Sequence, residues 1–359
     1  MSTAIADGSA PVSGSASRLA PLDGLRGLAA CGVALIYHPN LLLFSGDVIA
    51  GAPVPIAWLQ LWGWTLVDLF FVISGYVFAH VYLRGDGLTR GRVADFAVAR
   101  IARLYPLHLL MLCLCAVLFF GDPGNSAFAF AAHLLMLQAF VEPVGHTFDG
   151  PTWSISVEMV CYVLFAMAAV RGRRMLYLVA LLAISAAVLH FLVQGRPGGP
   201  WVGDGVPRGL LGFFLGQLMW LHKERLAALP WPVLVSAVIF GMTLDMGSMS
   251  SVLPLSLLAW PALVLLALRM PLAGCAPLRW LGDRSYAIYL IHYPLQLLVA
   301  YWWGGFDGGM ATYWTVTAAF AAAVLLLSDV CYRWFEAPCR DAIRTIWMRR
   351  SARPPLRAA

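Results

Sequence analysis

The sequence predicts an all-α, polytopic membrane protein with about ten transmembrane helices and one further re-entrant or surface-lying segment. Three observations predict it. Of the 359 residues, 61% are hydrophobic and 12% charged, and mean hydropathy is +0.78, which leaves too little polar surface to cover a soluble core. Apolar runs approaching the roughly 20 residues that cross a hydrocarbon core recur along the chain. The basic residues, 23 Arg and the single Lys223 against 18 acids, fall mostly in short stretches between those runs, as the positive-inside rule expects. That placement ascribes the pI near 9.0 to topology and argues against nucleic acid as a partner.

Residues 1–20 are mostly Ser, Ala, Gly and Pro with little charge and read as a disordered tail. They lack the basic and apolar regions of a cleaved signal peptide, so the first apolar run is expected to act as an uncleaved anchor. The candidate spans are Leu25–Phe44, Leu59–Tyr82, Leu104–Phe120, Trp153–Val170, Met175–Val193, Gly209–Leu221, Pro232–Met246, Val252–Leu268, Ser285–Trp303 and Ala311–Trp334. Phe128–Val141 is apolar but short. If it does not cross, Arg84 to Arg103, Arg171 to Arg174, Lys223, Arg225, Arg269 to Arg284 and the end from Arg340 all face the cytoplasm. Only Arg196 and Arg208 then remain outside. This choice gives ten crossings with both termini cytoplasmic, and it makes Phe128–Val141 the re-entrant or surface segment. Residues 21–340 form one membrane domain, and 341–359 a basic tail against solvent or lipid headgroups. The cysteines number seven, an odd count without metal-ligand spacing, and read as free thiols. No metal site is expected.

Ionisable side chains inside a span cost about 2.5–3.5 kcal/mol on insertion scales, so each is a candidate. At ~1.5 Å rise per residue, His38, Asp68 and Glu158 fall about 8–12 Å from the outer ends of their spans. A neutral His suits general-base work, and a nearby carboxylate can orient it. His38 beside Pro39 is equally readable as a packed helix-end histidine. A second layer lies nearer the cytoplasm. Arg26 opens the first span, Ser74 follows Phe70-Phe71, and His292 lies in the ninth. Arg100 and Arg103 share a face of an amphipathic stretch ending at Tyr105-Pro106. Paired guanidiniums suit phosphates, although positive-inside topology alone explains most such pairs. Ser285, Tyr289 and His292 share one helical face, and Ser154, Glu158 and Tyr162 another. Interhelical hydrogen bonding is the plainer reading for Ser285 and Tyr289. Trp153 reads as an interfacial anchor or a lining residue.

Together these motifs resemble acyltransferase family 3, the membrane O-acyltransferases that modify bacterial surface polysaccharides and some small molecules. The resemblance rests on Leu22-Asp23-Gly24-Leu25-Arg26-Gly27 leading to His38, on Val67 to Gly75, and on Arg100-Ile101-Ala102-Arg103. It continues in Trp153 to Glu158, Ser285 to Pro294, and Tyr332 to Pro338 with Glu336. The motifs occur in family order over about residues 21–340.

The resemblance implies an acyl-CoA co-substrate, usually acetyl-CoA, no permanently bound cofactor, and a glycan or lipid-linked saccharide acceptor. It implies a bacterial inner-membrane location in contact with membrane lipid. Arg26 and His38 match the family's Arg-and-His motif, Arg100 and Arg103 its donor-associated Arg-x-x-Arg, and Ser74 the serine after the double Phe. The catalytic set is then His38 with Asp68 or Glu158. The donor set is Arg26, Arg100, Arg103, Ser74 and His292, with Trp153, Ser154, Ser285 and Tyr289 structural or substrate-lining. His38 or Ser74 as a covalent acyl carrier is the alternative route. No extracytoplasmic esterase-like domain of the kind some members carry is recognisable, so a separate extracytoplasmic partner is one expectation. A glycan transporter is the alternative class, since buried acids and histidines also build proton relays.

One departure has a structural consequence. Eleven residues separate Arg26 from His38, where the family commonly has ten. Twelve helical steps leave the two side chains roughly 120° apart. A one-residue π-bulge near Gly32 realigns them.

Overall fold

The computed structural model describes residues 18–44, 52–84, 87–194, 198–244 and 252–351. The disordered reading of residues 1–20 falls largely outside them. Among the described residues the fold is all-helical. The extended pairing there is a single bridge between Phe44 and Phe306.

Helix α1 covers residues 20–42 in three registers: Ala20–Cys31, a π-helical turn Gly32–Tyr37, and His38–Leu42. The N–H of His38 reaches Val33 O, five residues back. The π-turn stands where the Arg26-to-His38 spacing requires an extra residue. Helices α2 (Val54–Tyr82), α3 (Arg90–Leu118), α5 (Gly150–Ala169), α6 (Arg173–Val193) and α11 (Met310–Ser351) are long and apolar enough to cross a membrane. Between α3 and α5 lies the short helix α4 (Ala127–Leu134). Helix α7 is Val202–Leu221, α8 Trp231–Thr243, α9 Val252–Leu268 and α10 Ala276–Trp303. Five of the ten expected spans fall on helices long and apolar enough to cross; the other five fall on α1, α7, α8, α9 and α10, and Met246, the expected end of one of them, lies outside the described residues.

Glycines set the two closest helix contacts. On α1, a Cβ at Gly27 would sit 2.6 Å from Gly282 N of α10. On α2, a Cβ at Gly75 would collide with the Phe213 carbonyl of α7, and one at Gly216 with the Val72 carbonyl. Small residues allow such approach where lipid supplies no hydrophobic drive between helices. The first contact seats Arg26 against α10, and the second seats Arg208 against Asp68.

Two expectations change, and the non-crossing segment gains detail. The stretch carrying Arg100 and Arg103 does not end at Pro106, because one helix runs through it to Leu118. Packed neighbours compensate the lost backbone bond inside such helices. Phe128–Val141 becomes helix α4 followed by a 3₁₀ turn, Gln138–Phe140. Eight residues of helix rise only about 12 Å, so α4 does not cross. It is pinned instead: Tyr105 donates to Leu134 O at 3.1 Å, and His108 Nε2 lies 2.9 Å from His133 O. The last span continues past its expected end through another π-turn, Tyr332–Glu336, to Ser351. Residue 340 therefore marks no backbone break, and Trp347 Nε1 donates to Asp95 on α3 at 2.7 Å. Residues 352–359 of the basic tail lie outside the described residues.

Candidate active site

Two cavities that share Val67 and Tyr289 lie among α1, α2, α5 and α10, the first also walled by α3 and the second by α7. The first is the arginine cavity. Arg26, Ser74, Arg100, Arg103, Ser154, Glu158, Ser285 and Tyr289 all line it. Arg26 donates to Asp23 at 2.9 Å, to Ser285 Oγ at 3.2 Å and to Gly282 O at 3.3 Å. Arg100 lies over the Phe78 and Tyr82 rings at 4.9 and 5.7 Å. Its Nε is buried without a hydrogen-bond partner among the described residues. Arg103 pairs with Glu336 of the Tyr332–Glu336 π-turn at 2.6 Å. Ser74 Oγ donates to Glu158 Oε1 at 2.7 Å. Three guanidiniums against the single carboxylate of Glu158, on a wall that also carries Ser74, Ser154, Ser285 and several aromatic rings, make this cavity suited to a multiply charged phosphate ligand.

The second is the histidine cavity. It is lined by His38 with Tyr37, Trp64, Trp153, Arg208 and Tyr293. Val67 and Tyr289 line both cavities and form the partition. Tyr289 donates to Pro151 O at 3.0 Å, and Ser154 Oγ lies 3.2 Å from its hydroxyl. Asp149, at the head of α5, is 2% exposed. Neither of its carboxylate oxygens has a hydrogen-bond partner among the described residues. Burial pushes its carboxyl well above the usual range, which favours the neutral acid.

Helix α10 ties the site together. On one face Ser285 meets Arg26, Tyr289 meets Ser154 and His292 meets His38. One turn beyond, Gln296 Nε2 donates to His38 O at 2.6 Å. The realigned α1 thus presents both Arg26 and His38 to the same neighbour.

Two expected relationships give way. Neither Asp68 nor Glu158 orients His38. Asp68 is fully buried and takes a 2.8 Å bond from Arg208 Nε, while Glu158 faces Ser74 in the other cavity. His292 is not among the residues lining the arginine cavity. Its Nε2 lies 2.8 Å from His38 Nδ1.

Arg208, Tyr293, Gln296 and Glu336 were not singled out for the site from sequence. Arg208 is 1% exposed and sits between the Trp64 and Trp153 rings, 4.6 and 4.9 Å from their centroids. The signal for it was present. An arginine one residue before an apolar run, behind Pro207, is subject to the same insertion cost that flagged Asp68.

A family model described as an acyltransferase domain matches residues 19–333. The chain is 35% identical over 193 residues to "Protein 2 in picA locus" of Rhizobium radiobacter, covering 47% of this chain and 91% of that one. It is 27% identical over 349 residues to "Acyltransferase MdmB" of Streptomyces mycarofaciens, covering 87% of each. It is 26% identical over 373 residues to "Putative peptidoglycan O-acetyltransferase YrhL" of Bacillus subtilis (strain 168), covering 89% of this chain but only 54% of the relative. No solved structure matches the chain.

Proposed function

The chain belongs to acyltransferase family 3, and on that premise we propose that it transfers an acyl group, acetyl first among candidates, from acyl-CoA to a hydroxyl of a glycan or lipid-linked saccharide. The observation that carries this reading is the pair of cavities meeting at Val67 and Tyr289. Acyl-CoA enters the arginine cavity with its phosphates against Arg100, Arg103 and Arg26, and its thioester end points toward Tyr289. The acceptor hydroxyl approaches from the histidine cavity. His38 removes its proton as the oxygen attacks the thioester carbonyl, and the C–S bond breaks. The proton then passes from the imidazolium to the leaving thiolate. Ser74 and Glu158 line the donor path, Ser154 and Ser285 shape its walls, and Trp153 stands on the acceptor side. Acyl-CoA is a consumed co-substrate, with no permanently bound cofactor.

The same reading places residues 21–340 as the catalytic domain in a bacterial inner membrane, with ten crossings and both termini cytoplasmic. Arginine placement supports it. The five long apolar helices support a multi-pass chain. A separate extracytoplasmic protein is a proposed partner.

The test is transfer from radiolabelled acetyl-CoA in membranes that carry the wild type or His38→Ala, with envelope glycans as acceptors. Label enters glycan with the wild type alone if the reading is right. Equal labelling by both removes His38 as base.

A further inference from the structure

His292 is buried completely on α10, and its two ring nitrogens have different partners. Nδ1 lies 3.2 Å from Ile288 O, and Nε2 lies 2.8 Å from His38 Nδ1. The rings are nearly parallel, 16° apart. A backbone carbonyl only accepts, so the His292 proton sits on Nδ1. A neutral imidazole carries one N–H, which leaves Nε2 of His292 as an acceptor. The nitrogen facing it, His38 Nδ1, must therefore carry the proton of His38. The remaining lone pair of His38 is on Nε2, at the far side of the ring, and His38 lines the histidine cavity.

We propose that His292 is the positioning residue that fixes the tautomer of His38, in the place the sequence reading gave to Asp68 or Glu158. This rests on the reading of His38 as the base. The Ile288 carbonyl sets His292, and His292 sets His38. Gln296 clamps the His38 carbonyl from the next turn. Because a neutral imidazole is the orienting group, the pair holds one tautomer without placing a fixed negative charge beside the base. A carboxylate there would stabilise the imidazolium instead and hold on to the proton that the leaving thiolate needs.

Histidine-¹⁵N-labelled full-length protein in lipid nanodiscs tests the assignment, with the His38 signals identified by their loss in His38→Ala. The expected spectrum shows protonated Nδ1 and bare Nε2 on His38. His292→Phe removes the acceptor, moves the His38 proton to Nε2 and lowers transfer about 100-fold. His292→Gln offers a side-chain oxygen near the former Nε2 position, keeps the tautomer and keeps transfer within about tenfold. A His38 proton on Nε2 in the wild type, or an unchanged tautomer in His292→Phe, overturns the proposal. The spectrum needs no turnover. Bare Nε2 in the wild type, with full transfer by His38→Ala, would condemn His38 as base and leave the pair's geometry standing.

Discussion

Asp68 and Arg208 hold each other at 2.8 Å, one fully buried and the other 1% exposed. Arg208 also donates to Trp64 O at 3.0 Å between two indole faces. The pair fastens α7 to α2 on the wall of the histidine cavity. Removing either partner leaves a buried charge without its counter-ion, which costs about 3–5 kcal/mol. Asp68→Ala and Arg208→Ala are each expected to lower the unfolding midpoint in detergent. The double variant is expected to lose clearly less than the sum. Additive losses would deny the coupling.

Gly27 sets how closely α1 approaches α10. Gly27→Val is expected to push Arg26 away from Ser285 and to cost at least the 1–3 kcal/mol typical of overpacking, because the group it meets is backbone. Gly91→Ala, with nothing within 4 Å of its Cβ position, is the control and should leave activity unchanged. Paired unfolding and transfer assays check both.

Ser74 donates to Glu158 in the arginine cavity, on the donor side of the Val67–Tyr289 partition. Direct transfer predicts that Ser74→Ala keeps at least about a tenth of the wild-type rate, since a single hydrogen bond is worth roughly 1 kcal/mol. Abolished transfer, with an acyl group trapped on Ser74 of the wild type, would favour a covalent relay.

His133 is fully buried on α4, and burial pushes its pKa down to about 4. The neighbouring His108 pushes the same way. The unfolded chain, near 6.5, therefore binds a proton at higher pH than the folded one. Stability from this group is complete above pH 6.5 and is lost as pH falls toward 4. Unfolding midpoints of wild type and His133→Asn at pH 7 and 4.5 check the sign. The wild type should lose more of its midpoint on acidification.

Much of this was legible because helix periodicity is local. Arg100 with Arg103, Ser154 with Glu158, and Ser285 with Tyr289 and His292 could each be placed on one face by counting. The π-turn at Gly32 was legible too, since twelve helical steps misalign Arg26 and His38. Pairings between distant helices were not. His38 and His292 are 254 residues apart, and Asp68 and Arg208 are 140 apart. Depth alone could not tell which of several groups at one level would touch. The π-turn at Tyr332–Glu336, which brings Glu336 to Arg103, carried no comparable spacing signal.

The central claim is that donor binding and base catalysis reside in two adjoining cavities. Acetyl-CoA affinity and acyl transfer, both measured on purified His38→Ala and Arg103→Ala proteins, test it most directly. The account predicts that His38→Ala binds donor as the wild type does and transfers nothing. It predicts that Arg103→Ala weakens donor binding about tenfold or more, as loss of a charge-assisted hydrogen bond does. Equal weakening of donor binding by the two substitutions would contradict it.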